Sequence, residues 1–288
     1  MEIDKASVSV HYRLPWFLRF AAKTLNVVSK KLTTRLLWRI FTGPIKFKIP
    51  QREQAFYQAT SESTLILESI DRKIAVYRIP SEGRRILFVH GWNGRSGQFY
   101  TLVKEMAKLG FDITAIDLPG HGKSDNGQIT LPEITAAISE ISRTQDPFDI
   151  LITHSFGGVA ALNSIRQGAI FDKIVLISLG VYEIRPMFET FVGLFGLNEA
   201  YYADKLFLRA ETRFGVSPRE FGPNEFVDKI TTETLLVHCI ADVEAKSKIS
   251  EEVHTKMPNS QIFLTKNLGH RKLLGNAEVV NKITEFIL

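Results

Sequence analysis

The chain has 288 residues, of which 44% are hydrophobic and 23% are charged, so it has room for one large α/β domain or two small ones. Its single cysteine, Cys239, excludes an internal disulfide and suits a reducing compartment. The net charge of +5 is unevenly spread, because residues 6–52 contain ten Lys or Arg and no Asp or Glu, which leaves −5 for the remainder. The chain has no internal repeat and no Cys/His spacing typical of a metal site, and we expect neither a metal nor a cofactor.

The basic N-terminal segment combines its charges with apolar residues at helical spacing between Pro15 and Phe41. One face of the predicted helix would carry Leu18, Leu25, Val28, Leu32 and Leu36. No apolar run approaches the roughly 20 residues that span a bilayer.

A basic amphipathic helix with Trp and Phe is typical of contact with an anionic membrane surface. It predicts peripheral contact through residues 13–41, which would place a cytoplasmic protein on the inner face of a membrane. Two alternatives stay open: a helix, or a helical hairpin broken near residues 26–29, that packs on the globular domain, and a cleaved targeting peptide. A nucleic-acid partner is not expected, because the basic residues alternate with large aliphatic ones.

The remaining residues predict strands that alternate with helices. The predicted strands cover 64–68, 73–77, 86–90, 111–116, 149–153, 173–178, 234–239 and 261–264. The predicted helices cover 98–109, 131–142, a helix from 156, 247–257 and 277–287. This alternation is typical of a mostly parallel central sheet with helices on both faces, whose ligand lies beyond the carboxyl ends of the strands.

The stretch from Leu151 to Gly158 is an apolar run that ends at Ser155 among small residues and continues as a helix. A strand that turns sharply into a helix at a serine is the arrangement of a nucleophile elbow. An ordinary helix N-cap is the alternative interpretation of this serine. Thr153 departs from the usual glycine at the start of the elbow, where a β-branched side chain adds bulk unless Gly157 and Gly158 leave room.

Four further motifs follow predicted strands. They are His90-Gly91-Trp92, the loop from Asp117 to Ser124 (DLPGHGKS), the segment from Leu235 to Asp242, and Leu268-Gly269-His270.

With these motifs placed, residues 60–288 resemble the α/β-hydrolase superfamily, in particular its serine esterases and lipases with a helical cap. The resemblance implies a catalytic triad of Ser155, Asp242 and His270, in the chain order that this superfamily uses. It also implies an oxyanion hole made by the backbone N–H groups of Trp92 and Phe156. Glu244 remains an alternative acid and His254 an alternative base. His90, His121, His154 and Asp117 are expected to order loops.

The predicted domain organisation is a basic helical segment over residues 1–53 and an α/β-hydrolase domain over 54–288, with a cap insert at about 182–230. The insert is rich in aromatic residues: Tyr182, Phe188, Phe191, Phe195, Tyr201, Tyr202, Phe207, Phe214, Phe221 and Phe226. These rings would line an apolar pocket over Ser155, or they would form the core of the cap itself.

The expected function is hydrolysis of a small-molecule carboxylic ester, with a hydrophobic acyl or aryl group, through an acyl-enzyme on Ser155. The alternatives are a membrane-associated lipid hydrolase, an acyltransferase, and a non-catalytic binding protein on the same fold.

Overall fold

A computed structural model describes residues 14–288; the predicted N-terminal segment before Leu14 lies outside the described residues. One eight-stranded sheet runs through the molecule in the order β1-β2-β4-β3-β5-β6-β7-β8. The strands are β1 Ser61–Leu67, β2 Arg72–Ile79, β3 Arg85–Val89, β4 Asp112–Ile116, β5 Ile150–His154, β6 Lys173–Ile177, β7 Glu233–Cys239 and β8 Ser260–Thr265. β2 pairs antiparallel with β1 and β4, and every other neighbouring pair is parallel.

Helices cover both faces of this sheet. They are α1 Trp16–Val28, α2 Lys30–Phe41, α3 Gln54–Ala59, α4 Tyr100–Lys108, α5 Leu131–Thr144, α6 Phe156–Arg166, α7 Ile184–Gly193, α8 Glu199–Phe214, α9 Lys248–Lys256, α10 Gly269–Lys272 and α11 Ala277–Ile287. The predicted fold class is confirmed. The short helices α3 and α10 were not predicted, and the helix predicted over 98–109 starts later because residues 96–99 form a 3-10 turn.

The central strands bury both of their faces, which explains their continuous apolar sequences. Alternate side chains of a strand enter different cores: Leu87 and Val89 pack on the side of α5 and α6, whereas Ile86 and Phe88 pack on the side of α4 and α11. The carboxyl ends of β3, β5, β6 and β7 therefore lie at one edge of a rigid double-sided core.

The N-terminal segment forms a helical hairpin that breaks at Ser29. Its extended backbone separates α1 from α2, and its hydroxyl accepts a hydrogen bond of 3.3 Å from Leu32 N–H at the start of α2. The break divides the predicted apolar face, because Val28 and Leu32 are exposed whereas Leu36 packs against the core. Within residues 14–288, none of the helices combines the length and the hydropathy needed to cross a bilayer.

The hairpin packs on the cap helices α7 and α8. Leu37 and Trp38 of α2 are buried, and the ring of Phe41 lies 4.8 Å from that of Phe188 on α7. At the other end, the hydroxyl of Tyr202 on α8 donates a 2.5 Å hydrogen bond to the side chain of Asn26. This arrangement matches the alternative of a hairpin packed on the globular domain.

A buried ion pair joins the segment before α3 to the loop after β3. Arg95 donates to both carboxylate oxygens of Glu53, at 2.5 and 2.9 Å, and both side chains are almost fully buried. A pair of this kind is strongly destabilising to break, because the remaining charge is buried without compensation.

We therefore expect Glu53→Gln to lower the free energy of unfolding by about 3–5 kcal/mol. Urea unfolding followed by circular dichroism measures this loss. The matched control is Glu62→Gln, which breaks an exposed pair with Lys123 and should cost less than about 1 kcal/mol. Equal stability of the two variants would contradict the structural role of the buried pair.

Candidate functional site

The sharp turn between β5 and α6 places Ser155 at the carboxyl edge of the sheet. Its backbone angles are φ 53° and ψ −120°, a conformation that an L-residue adopts only under strain. The neighbouring backbone leaves no space here, since a Cβ at Gly91 would lie 2.8 Å from the Ser155 Cβ and 2.9 Å from the His154 carbonyl oxygen. An ordinary N-cap serine has β-region backbone angles and bonds to the helix N–H groups; Ser155 has neither feature.

Thr153 fits the elbow because Gly158 leaves it room. Thr153 is fully buried, and its hydroxyl donates a 3.2 Å hydrogen bond to the Val175 carbonyl of the neighbouring strand. A Cβ at position 158 would lie 3.1 Å from that hydroxyl oxygen and 3.0 Å from Leu179. Gly158 therefore provides the space for the Thr153 side chain that the sequence predicted at the small residues after Ser155.

Asp242 lies directly after β7 and contacts His270 across the sheet edge. Its Oδ2 accepts a 2.7 Å hydrogen bond from Nδ1 of His270, while Oδ1 accepts the N–H groups of Glu244 and Ala245, both at 2.9 Å. Burial raises the pKa of Asp242, but hydrogen bonds from His238 and His270 outweigh it and leave the pKa well below its ordinary value. Asp242 is therefore an ionised carboxylate that fixes the orientation of the imidazole.

The two alternative residues have other partners. Glu244 forms a 3.2 Å ion pair with Arg271, and Nδ1 of His254 lies 2.8 Å from the hydroxyl of Ser260. Of the acids and bases weighed from the sequence, the structure brings Asp242 and His270 together.

Backbone contacts hold the loop that carries His270. The buried sulfur of Cys239 accepts N–H groups from Leu268 at 3.2 Å and Gly269 at 3.1 Å. The His270 carbonyl in turn accepts a 3.0 Å hydrogen bond from Nε2 of His154. Cys239 is thus a packed thiol whose acceptor role orients the residues just before the imidazole.

Two backbone N–H groups were predicted to form the oxyanion hole. Phe156 is the first residue of α6, so its N–H has no acceptor within the helix. Trp92 follows β3, and its ring packs edge-on against Phe156 with 5.7 Å between centroids. Gly180, which follows β6, lies so close that a Cβ there would be 3.2 Å from both Ser155 Oγ and Phe156 N.

His90 ties the Trp92 loop to the loop after β4. Its Nδ1 donates to the Gly91 carbonyl at 2.7 Å, and its Nε2 accepts the Leu118 N–H at 2.9 Å. Burial lowers the pKa of His90 to about 4, so the ring is neutral, as this donor and acceptor pair requires. In the same loop, Asp117 accepts N–H groups from Ser96 and Lys123.

The cavity at Ser155 is small and has a polar rim. Its volume is about 90 Å³. It is lined by Trp92, Gln98, His154, Ser155, Gly180, Glu244, Ala245, His270 and Arg271. Asp242 is not a lining residue, and it is linked to the cavity through its hydrogen bond to His270.

None of the ten aromatic residues of the cap is among these lining residues. Those rings pack against one another and against α2 in one core. The rings therefore pack in the core of the cap, which is the second of the two positions expected from the sequence.

Sequence reasoning assigned no role to three residues of the site. Nε2 of His238 lies 3.4 Å from Oδ2 of Asp242, and its Nδ1 lies 2.7 Å from the hydroxyl of Ser250. Gly180 borders the nucleophile, and Arg271 lies at the rim of the cavity. Gly180 and His238 both lie at or near the carboxyl end of a predicted parallel strand, which is the signal that could have identified them.

Within residues 14–288, no group of three or more His, Cys, Asp or Glu side chains is arranged to hold a metal ion.

Comparison with known proteins identifies the family. The profile of the alpha/beta hydrolase family matches residues 86–265, which is more than half of the chain, so the chain belongs to this family. It is 24% identical over 243 residues to the AB hydrolase superfamily protein YisY of Bacillus subtilis (strain 168), covering 70% of this chain and 90% of that protein.

Two solved structures share the fold. A putative lipase from Acinetobacter baumannii has a TM-score of 0.62 and 17% identity, covering 84% of this chain and 97% of its own. A bacterial membrane phospholipase A has a TM-score of 0.59 and 16% identity, covering 94% of this chain and 95% of its own.

His121 makes the stability of this region depend on pH. Its ring lies against those of His90 and Trp92, and burial lowers its pKa to about 3. Between about pH 6.5, the ordinary histidine pKa, and pH 3, the unfolded chain binds a proton that the native protein does not. Stability therefore falls as the pH falls through this range.

We expect His121→Phe to reduce the loss of unfolding free energy between pH 7 and pH 5 by about 2 kcal/mol relative to wild type. Urea unfolding at the two pH values measures the difference. His254→Phe removes a partly exposed histidine and serves as the control. An unchanged pH dependence in His121→Phe would show that folding does not lower the pKa of this ring.

Gly180→Ala should reduce the turnover of the ester hydrolysis expected from the sequence while leaving the fold intact. The added methyl group would lie 3.2 Å from Phe156 N, one of the two N–H groups predicted to form the oxyanion hole. Since removal of an oxyanion donor costs about 10²–10³ in rate, partial obstruction should lower kcat by about 10- to 100-fold. The control is Gly275→Ala, whose Cβ would make only an ordinary 3.4 Å contact with Thr101. Equal kcat in both variants would contradict the predicted role of the Phe156 N–H group in the oxyanion hole.

Proposed function

We propose that the protein is a serine hydrolase that cleaves carboxylic esters through an acyl-enzyme on Ser155. The observation that carries the proposal is the 2.7 Å hydrogen bond between Asp242 and His270, with the imidazole in the same small cavity as the strained Ser155. A serine hydroxyl is a weak nucleophile until a neighbouring base takes its proton. The ionised Asp242 supports His270 as that base, because it stabilises the imidazolium that forms.

The reaction has two steps. Ser155 Oγ attacks the ester carbonyl carbon as His270 takes its proton, and the oxyanion accepts the N–H groups of Trp92 and Phe156. His270 then gives the proton to the departing alcohol, which leaves the acyl group on Ser155. A water molecule, deprotonated by His270, attacks the acyl-enzyme, and the carboxylic acid leaves as the proton returns to Ser155.

The size of the cavity favours a short acyl group. A volume of about 90 Å³ is well below the roughly 300–1,000 Å³ of pockets that enclose drug-sized ligands. The expectation of a hydrophobic acyl or aryl group rested on cap aromatics as pocket lining, and these rings lie in the cap core instead. We therefore propose short-chain esters, with Trp92 as the aromatic side chain at the cavity.

The test combines active-site labelling with a chain-length series. A fluorophosphonate probe should label the wild-type protein and Ser142→Ala, a control that removes a serine outside the cavity, but not Ser155→Ala. The specificity constant for p-nitrophenyl acetate and butyrate should exceed that for the octanoate by at least about tenfold. Folded wild-type protein that takes no label would favour the non-catalytic binding protein, and labelling with ester transfer to added alcohols would favour an acyltransferase.

A further inference from the structure

A strongly basic groove lies between α2 of the hairpin and α8 of the cap. Its volume is about 690 Å³. Six cationic side chains line it: Lys30, Lys31 and Arg35 from α2, and Lys205, Arg209 and Arg213 from α8. No carboxylate is among the lining residues, and in the described part of the chain only Arg213 of these six has an acidic partner, Glu133 at 3.4 Å.

None of the three acidic residues of α8, which are Glu199, Asp204 and Glu211, lines the groove. Asp204 and Glu211 are seven residues apart and so share a side, and Asp204 pairs with Arg185 of α7 at 2.7 Å. Lys205, Leu208 and Thr212 follow a separate helical stripe that faces the groove. The charge of the groove is therefore one-sided.

Aromatic rings hold the cations together. The ammonium groups of Lys30 and Lys205 lie 5.0 and 5.5 Å from the centroid of the same ring, Tyr201, and the guanidinium of Arg209 lies 5.5 Å from the ring of Trp38. Cation–π contacts of this kind partly offset the repulsion between like charges. A bound anion would remove the remainder of that repulsion.

An exposed apolar stripe continues from the groove along α1. Trp16 is 77% exposed and Val27 is 87% exposed, and Phe17, Phe20 and Val28 are also exposed, while the opposite face of α1 buries Ala22. The stripe meets the groove at the turn of the hairpin, because Val28 is two residues before Lys30. Exposed Leu208 adds an apolar side chain to the groove itself.

We propose that this combined surface, the stripe on α1 and the groove between α2 and α8, docks on a membrane that contains anionic phospholipids. Lipid phosphates match the six cations, and the outer hydrocarbon region matches Trp16, Phe17 and Phe20. Nucleic acid would neutralise the cations but leave the apolar stripe in water. Docking would bring the cap helix α8 directly onto the lipid surface, and it does not depend on the proposed ester hydrolysis.

The experiment is flotation of the full chain with vesicles of phosphatidylcholine alone or of phosphatidylcholine with 30 to 40% phosphatidylglycerol. Wild type should float with the anionic vesicles only, and binding should weaken as the salt concentration rises. The variant Lys31→Gln/Arg35→Gln/Lys205→Gln should lower the partition coefficient by about 100-fold, since each basic residue near an anionic surface contributes roughly fivefold. The variant Trp16→Ser/Phe20→Ser should lower it independently.

A charge-matched control separates the groove from net charge. Lys104→Gln/Arg143→Gln/Lys229→Gln removes two lysines and one arginine from exposed positions outside the groove, and should bind like wild type. An equal loss in this control would overturn the proposal, as would equal flotation of the groove variant and wild type. Binding of single-stranded RNA that depends on the groove residues, without vesicle binding, would overturn it in favour of a nucleic-acid partner. Retained p-nitrophenyl acetate hydrolysis in the groove variant would show that the site at Ser155 is intact.

Discussion

The strained backbone at Ser155 is the constraint on which the rest of the site depends. A non-glycine residue is held at φ 53° only if the surrounding structure over-determines it. Here β5 lies inside a sheet whose two faces are both buried, so the strand end cannot relax without disturbing two cores. The close backbone at Gly91 and Gly180 then determines where a substrate atom can lie next to the hydroxyl.

His270 and Asp242 lie on loops that are fixed by polar contacts of the backbone. The Asp242 loop is closed by N–H groups donated to its own carboxylate, and the His270 loop by N–H groups donated to Cys239. Both loops start from neighbouring strands, β7 and β8, that pair in register from Thr234 to Cys239. The pairing of β7 and β8 therefore brings Asp242 and His270 together, although the two residues are 28 positions apart in the chain.

The sequence allowed prediction of the parts of this structure that depend on local patterns. Short apolar runs predicted the strands, and the residues after them made Ser155, Asp242 and His270 the candidate triad. The break at Ser29 remained one alternative because the apolar spacing of a helix continues through this residue. The only feature that opposes a continuous helix is the serine side chain, which caps the start of α2. The sequence also could not show whether the cap rings line a pocket or pack in the cap core. Phe188 and Phe191 have the same spacing in the sequence in either case, and in the structure both contact Phe41.

The hairpin explains why the cap is rich in aromatic residues although its rings do not line the cavity. α7 and α8 pack on each other, and α8 also contacts α2, so the rings of the cap fill the layer between these helices. Packing the hairpin there has a second consequence, because it brings three cations of α2 opposite three of α8. Repulsion between these six cations opposes the packing of α2 on α8, which the aromatic rings stabilise. The stability of the cap does not explain why both helices carry bases toward the groove, and this arrangement is the observation behind the proposed anionic membrane partner.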